Sequence, residues 1–322
     1  MLLTFIVIST VCILALWIFI EIYNFFEGET FVSDIFLEMK LKRLSLTYLD
    51  QLAGNNPNKA DAIVSLTSIP SRLPHIHETL KSLLYQHRLP KKIFLNLPKY
   101  STRENCQYCV PDDLFNLATV EIVRCEDYGP ATKFIPTLNR VNDDQLVIVV
   151  DDDRIYSPYL IADLEKAASI SPDTAYGLSG WIVPKDCVDR PTTILSNLFM
   201  RPPAPIRARR LTKPKQVDIL QGLSGYAIRP RFFEHISELL DYSRAPEAAF
   251  FVDDVWMSAH CSRPKAVLPT KRSNHQAWKL SSFYKNNSLG LINRGDGKPE
   301  NRKNSIIIKY FSDRWMVSGR SR

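Results

Sequence analysis

The chain has 322 residues, of which 45% are hydrophobic and 23% charged, enough apolar material for one large core or two small ones and too much for an intrinsically disordered polypeptide. Its 41 Lys and Arg against 34 Asp and Glu give a net charge of +7 and a pI near 9, a balance that suits an anionic ligand or a membrane surface. Of the 6 cysteines, Cys12 stands in an apolar N-terminal stretch, and the odd remainder excludes a complete disulfide framework. Cys106 and Cys109 form one C-x-x-C pair without a second at zinc-finger spacing, which reads as a loop disulfide or two idle thiols.

Residues 1–20 carry no charge and only Thr4, Ser9 and Thr10 as polar side chains, with Trp17, Tyr23, Phe25 and Phe26 toward the far end. About 20 apolar residues cross the hydrocarbon of a bilayer, so residues 1–26 read as a single membrane-spanning anchor. A cleaved signal peptide is the alternative, but neither a basic leading region nor a small-x-small cleavage site supports it. Residues 31–52 place Leu37, Leu41, Leu44 and Tyr48 at i, i+4, i+7 and i+11, an amphipathic helix. We expect residues 27–60 to be a stem and the globular domain to begin at Asp61.

Strands are expected over 62–66, 93–97 and 120–125, with a helix between the first two marked by Ile76, Leu80, Leu83 and Leu84. The turn after the first strand holds Thr67, Ser68 and Arg72; residues 98–113 are a polar loop; residues 126–133 are a Gly129-Pro130 turn. Next comes the most informative stretch, residues 146–150, five consecutive aliphatics of which four are β-branched, the pattern of a strand buried on both faces in a helix-covered parallel sheet. Asp151, Asp152 and Asp153 follow directly, and Ser157-Pro158 then opens another helix. Alternating strands and helices define an α/β fold with right-handed βαβ units. Beyond Tyr176 the strand-like runs are broken by glycine (176–181, 219–228) around a Pro- and Arg-rich loop, 201–215. An apolar run at 250–257 is interrupted by Asp253-Asp254, and the chain from residue 291 onward reads as a basic tail. The expected organisation is an anchor at 1–26, a stem at 27–60, a catalytic domain at 61–290 with halves 61–170 and 171–290, and a tail at 291–322.

Ligands of open α/β sheets bind beyond the carboxyl ends of the strands, so the three acids after residue 150 point into a site. Three adjacent like charges are unfavourable without a cation, and hard oxygen donors suit Mn²⁺ or Mg²⁺ shared with a substrate phosphate. A solvated acidic turn is the plainer explanation, as Asp is common at strand ends. The second acidic pair, about a hundred residues later, supplies what glycosyl transfer also needs, a carboxylate for the acceptor hydroxyl.

At these residues the sequence resembles the GT-A class of nucleotide-sugar glycosyltransferases, in the broad sense of the family 2-like enzymes, over roughly residues 61–269. The resemblance implies a GT-A-like, Rossmann-like central mixed and mostly parallel sheet flanked by helices, here preceded by one transmembrane helix. Asp151-Asp152-Asp153 matches the D-x-D motif: Asp153 would bind the metal, Asp151 the ribose or the metal, and Asp152 belongs to the nucleotide-binding set. Asp253-Asp254 looks like the later acidic motif that supplies the base in inverting members, with Asp254 ahead of Asp253. Thr67, Ser68 and Arg72 look like the nucleotide loop, and Asp127 and Lys133 lie where other nucleotide contacts are made. His275 is the positional candidate for a further metal ligand, with His260 its rival; Asn96 stands about where the base-reading acid is usual. Trp181, Tyr226 and Trp256 are candidates to stack on a sugar or to fill the core.

These readings together imply a membrane-anchored, metal-dependent glycosyltransferase using a nucleotide sugar, UDP-linked, and a glycan, lipid or protein acceptor, with no nucleic acid partner. It would lie in a Golgi or secretory membrane in a eukaryote and in the inner membrane of a bacterium. A metal-dependent phosphohydrolase and a catalytically silent sugar-binding membrane protein are the alternatives; the phosphohydrolase would want a Thr two residues after Asp153, where Ile155 stands.

Overall fold

The computed structural model describes residues 1–276 and 288–319. An eight-stranded sheet runs in the order Lys215–Val217, Lys265–Val267, Ala175–Gly177, Tyr226–Ile228, Leu146–Val149, Ala62–Thr67, Lys92–Pro98, Val120–Cys125. The half from Leu146–Val149 to Val120–Cys125 is entirely parallel. Tyr226–Ile228 enters antiparallel to both its neighbours, and Lys215–Val217 is antiparallel to Lys265–Val267. The expected α/β architecture, a mixed and mostly parallel sheet flanked by helices and preceded by one long apolar helix, is therefore present. Val147, Ile148, Val149 and Val150 are fully buried, as their unbroken aliphatic run predicts. Each such side chain contributes roughly 1.5–3 kcal/mol on burial, enough together to hold a strand whose tip carries like charges.

The first helix, Leu2–Glu27, has a mean hydropathy of 2.7 over its most apolar window and is long and apolar enough to cross a membrane. Its apolar side chains are exposed along its length. It ends where Gly28 takes a left-handed conformation (φ 72°) and donates its N–H to the Asn24 carbonyl, a role glycine fills without steric cost.

Two sequence expectations change. The segment read as a stem folds onto the domain: helices Phe31–Lys42 and Leu46–Asn55 bury Leu41, Leu46, Leu49 and Ala53 in the main core. Asp50 fixes the second of them by accepting the N–H groups of Ala118 (2.6 Å) and Thr119 (2.8 Å). The two helices thus pack on helix His77–Leu84 instead of projecting as a spacer. The segment read as a basic tail likewise packs inward, with Ile307, Ile308, Phe311 and Trp315 buried around helix Lys303–Tyr310. Lys303 and Lys309 flank that helix and mask a short apolar face. All six cysteines are free, so Cys106 and Cys109 are exposed thiols. Asn286 of the sequon Asn286-Asn287-Ser288 lies outside the described residues.

Candidate functional site

Beyond Val149 the chain turns through the three acids into a short strand, Arg154–Tyr156. Backbone and side-chain bonds from several elements fix that turn: Val150 donates to the Ser65 carbonyl (3.0 Å), Asp151 N–H to Tyr156 Oη (2.8 Å), and Thr79 Oγ1 to the Asp152 carbonyl (2.8 Å). The three carboxylates consequently diverge. Asp152 turns inward, accepting from Ser68 Oγ (2.5 Å) and Arg72 Nη1 (3.2 Å); burial raises it above the ordinary carboxylate range in spite of these partners. Asp151 Oδ1 sits 2.7 Å from Lys133 Nζ. Asp153 lines the cavity, 3.6 Å from Arg72 and 3.8 Å from Arg154, and burial beside Asp152 pushes it up to about 6.

The second acidic pair opens helix Asp253–His260, yet its carboxylates do not serve as a helix cap. Asp253 Oδ2 lies 2.6 Å and Asp254 Oδ1 3.4 Å from the same Lys133 ammonium, and Asp254 Oδ1 also accepts the Gly222 N–H at 3.0 Å. The helix is tied to the segment before Gly222 by Leu220 N–H donating to Ser258 Oγ (3.1 Å). Lys133 itself closes the 3₁₀ turn Gly129–Lys133, where Gly129 (φ 59°) permits the close approach of the Phe250 carbonyl. Burial alone would lower the buried lysine, but three carboxylates hold it well above its usual value, so it stays charged. Asp254 is driven the other way: burial, then Asp253 and Asp151, push it up to about 8 against the pull of Lys133. A β-carbon on Gly222 would lie 2.2 Å from Lys133 Nζ and 3.0 Å from Asp151 Oδ1, so the network requires glycine there.

All of this borders one cavity of about 370 Å³, into which the structure gathers Thr67, Ser68, Arg72, Asp127, Lys133, Asp151, Asp152, Asp153, Asp253 and Asp254. Asp127 lines it while accepting the N–H groups of Thr102 (2.7 Å) and Gly129 (2.8 Å), so it also organises its own loop. Thr67 Oγ1 donates to the Asn96 carbonyl at 2.7 Å. Asn96 itself is interior, donating to Ser65 Oγ and Thr137 Oγ1 (both 3.0 Å), and takes no part in the cavity. Trp181 lines the cavity, whereas Trp256 stacks on Tyr242 in the core, with ring centroids 4.6 Å apart, and Tyr226 is wholly buried.

His275 is a correction. Strand Asn274–Gln276 pairs with Arg154–Tyr156 and turns the imidazole toward the N-terminal helices, 3.7 Å from Asp34 and 3.8 Å from Glu38, away from Asp151 and Asp153. His260 is no substitute, since its ring packs between Trp256 and Phe311. Among the described residues no three His, Cys, Asp or Glu side chains gather as a metal cluster. Asp151 and Asp153 do present hard oxygen donors to the cavity, and Mg²⁺ or Mn²⁺ is commonly held by one or two carboxylates with substrate phosphates completing its shell, so these two fit such an ion.

The sequence reading missed Arg103 and Tyr108, which enter the cavity from the polar loop; Tyr108 Oη donates to the Ser68 carbonyl at 2.9 Å, and burial beside Arg72 lowers Arg103. It also missed Asn293 and Asn304, which line the cavity from the segment taken for a tail.

No family model and no curated protein matches the chain. Among solved structures it is similar to TarS residues 1–349 of S. aureus, at 14% identity and a TM-score of 0.44, covering 79% of this chain and 70% of that one. A structure of GalNAc-T7 with UDP, GalNAc and Mn²⁺ gives 14% identity and a TM-score of 0.42 over 65% of this chain and 41% of that one. The IspD cytidylyltransferase of Francisella tularensis gives 16% and 0.39 over 72% and 99%.

Proposed function

We propose that the chain is a membrane-anchored glycosyltransferase that moves a sugar from a UDP-linked or related nucleoside diphosphate donor to a hydroxyl of a glycan, lipid or protein. The observation that carries this reading is the convergence of Asp151, Asp253 and Asp254 on Lys133, in a cavity that also holds Arg72 and Arg103. A departing diphosphate develops negative charge, which fixed cations already in place stabilise without reorganisation. Arg72 comes to the cavity from the first-strand turn and Arg103 from the polar loop, so Thr67, Ser68, Arg72 and Asp127 are assigned to the nucleotide. A divalent ion on Asp151 and Asp153 would add Lewis-acid neutralisation of that leaving group.

Asp254 is the assigned base. Its carboxylate borders the cavity, its value near 8 suits removal of a hydroxyl proton near neutral pH, and Lys133 and the Gly222 N–H orient it. Asp253, held closer to Lys133, is the positioning partner. A base on the acceptor side, without an intervening enzyme nucleophile, gives inversion at the anomeric carbon.

Thermal unfolding with UDP, Mn²⁺, both or neither tests the reading. Stabilisation that needs both, lost in Asp153→Asn, is the expected result, followed by product NMR showing an inverted anomer from the active nucleotide sugar. No response to any nucleoside diphosphate, or release of inorganic phosphate from a phosphomonoester, overturns it.

A further inference from the structure

Helix Ile194–Phe199 is mostly apolar in sequence yet has no buried residue. Its Thr193 and Ser196 form a reciprocal capping box (2.9 and 3.1 Å), so it is a well-started helix and not a frayed loop. Ile194, Leu195, Leu198 and Phe199 are 78%, 68%, 40% and 60% exposed and, at i, i+1, i+4 and i+5, share one face. Four large apolar side chains turned outward on six residues call for a partner.

The place of this helix names the partner. Asn197 Nδ2 donates to the Phe26 carbonyl (3.3 Å), at the end of the long apolar helix. Arg210 donates to the carbonyls of Asn197 and Leu198 (both 2.6 Å) while its guanidinium lies 4.0 Å over the Phe25 ring. Arg207 and Arg209 donate to the carbonyls of Glu27 and Glu29. The arginine loop thus clasps the exit of the first helix and holds the second apolar helix beside it. Helix Leu2–Glu27 has 26 residues; at about 1.5 Å each it is about 39 Å long, some 9 Å more than a hydrocarbon core of about 30 Å. Phe26, and with it Ile194–Phe199, therefore falls in the headgroup layer, the depth at which an amphipathic helix buries its apolar face. Arg201, exposed and 5.7 Å over the Phe199 ring, and exposed Lys213 on the same loop complement lipid phosphates.

We infer that Ile194–Phe199 inserts into the bilayer interface as a second membrane contact, which fixes the orientation of the catalytic domain on the membrane. The inference rests on reading Leu2–Glu27 as the anchor. Together the two contacts restrain the domain from swivelling about a single helix.

Fluorescence quenching of the full-length protein in phosphatidylcholine–phosphatidylglycerol vesicles tests it. Phe199→Trp is compared with wild type in lipids brominated near the glycerol end of the chain and in lipids brominated near the methyl end. The expected result is that the added Trp emission is quenched more strongly by the shallow bromines, with native Trp17 accounting for quenching in the wild type. If the added emission is unquenched while wild-type emission is still quenched, the docking helix is overturned and the anchor stands. If wild-type emission is also unquenched, the anchor falls and the inference with it.

Discussion

Lys133 is held by three carboxylates, and that ratio makes it the most consequential single residue of the cavity. Lys133→Met would leave Asp151, Asp253 and Asp254 facing one another without a cation, a loss of about 3–5 kcal/mol by analogy with other broken buried pairs. The deficit should be larger at pH 8.5 than at pH 6, because Asp254, which burial pushes up to about 8, is protonated and uncharged at the lower value; urea unfolding at the two values measures it. Asp254→Asn should do the reverse, lowering transfer by about 10²–10⁴-fold while leaving the melting temperature unchanged or raised. The acids also set the pH dependence. Burial holds Asp153 near 6 and Asp254 near 8, so the folded chain binds these protons more tightly than the unfolded one. Their contribution to stability is complete below the ordinary carboxylate range and lost as pH rises through about 6 and then about 8. Turnover by an Asp254 base must rise over the same upper interval, and Asp254→Asn should flatten the stability decline there. A rate profile flat through pH 8 would reject Asp254 as the base.

Elements explain which parts of this site were legible in the sequence. The central strand was, because an unbroken β-branched run ending in acids admits few other folds, and its parallel neighbours followed from alternation. Ser68, Arg72 and Lys133 were reachable through the resemblance, which places them in the segments that follow the first and third strands. His275 was not, since a one-residue change in where its strand pairs turns its side chain to the opposite face, and only the pairing with Arg154–Tyr156 reveals which way the imidazole points. Arg103 and Tyr108 carry no periodic signal, as a loop is shaped by what it lands on. Gly222 was read as strand punctuation and as the start of a segment, residues 222–226, that resembles the acceptor side; its contact with Lys133 and Asp151 emerges only where two segments distant in sequence meet. Gly222→Ala places a methyl against Lys133 and Asp151, displacing the ammonium from its carboxylates at a cost of about 1–3 kcal/mol. Activity should fall much further than stability. Equal activity in the alanine variant, measured beside its urea midpoint, would show that the spacing at Lys133 is not needed.

At the scale of the molecule, the domain is larger than the strand pattern implies, because segments from both ends wrap onto it. The C-terminal one decides between two pictures. A basic tail held by charge alone could be removed with little effect, and its departure would lower only the net charge. Instead Ile307, Ile308, Phe311 and Trp315 are buried against helix Asp253–His260 and its approach, while Asn304 reaches the cavity. At roughly 1.5–3 kcal/mol per buried side chain, those four contribute an amount comparable with the whole stability of a typical domain, about 5–15 kcal/mol. Removing residues 302–322 should therefore give a protein that is largely unfolded or aggregated by size exclusion and far-UV circular dichroism. Because the buried face lies on the helix that presents Asp253 and Asp254, any folded remainder should lose transfer before it loses secondary structure. A truncated chain that unfolds at the wild-type urea midpoint would return this segment to the status of a tail, and with it would go the assignment of Asn304 to the cavity wall.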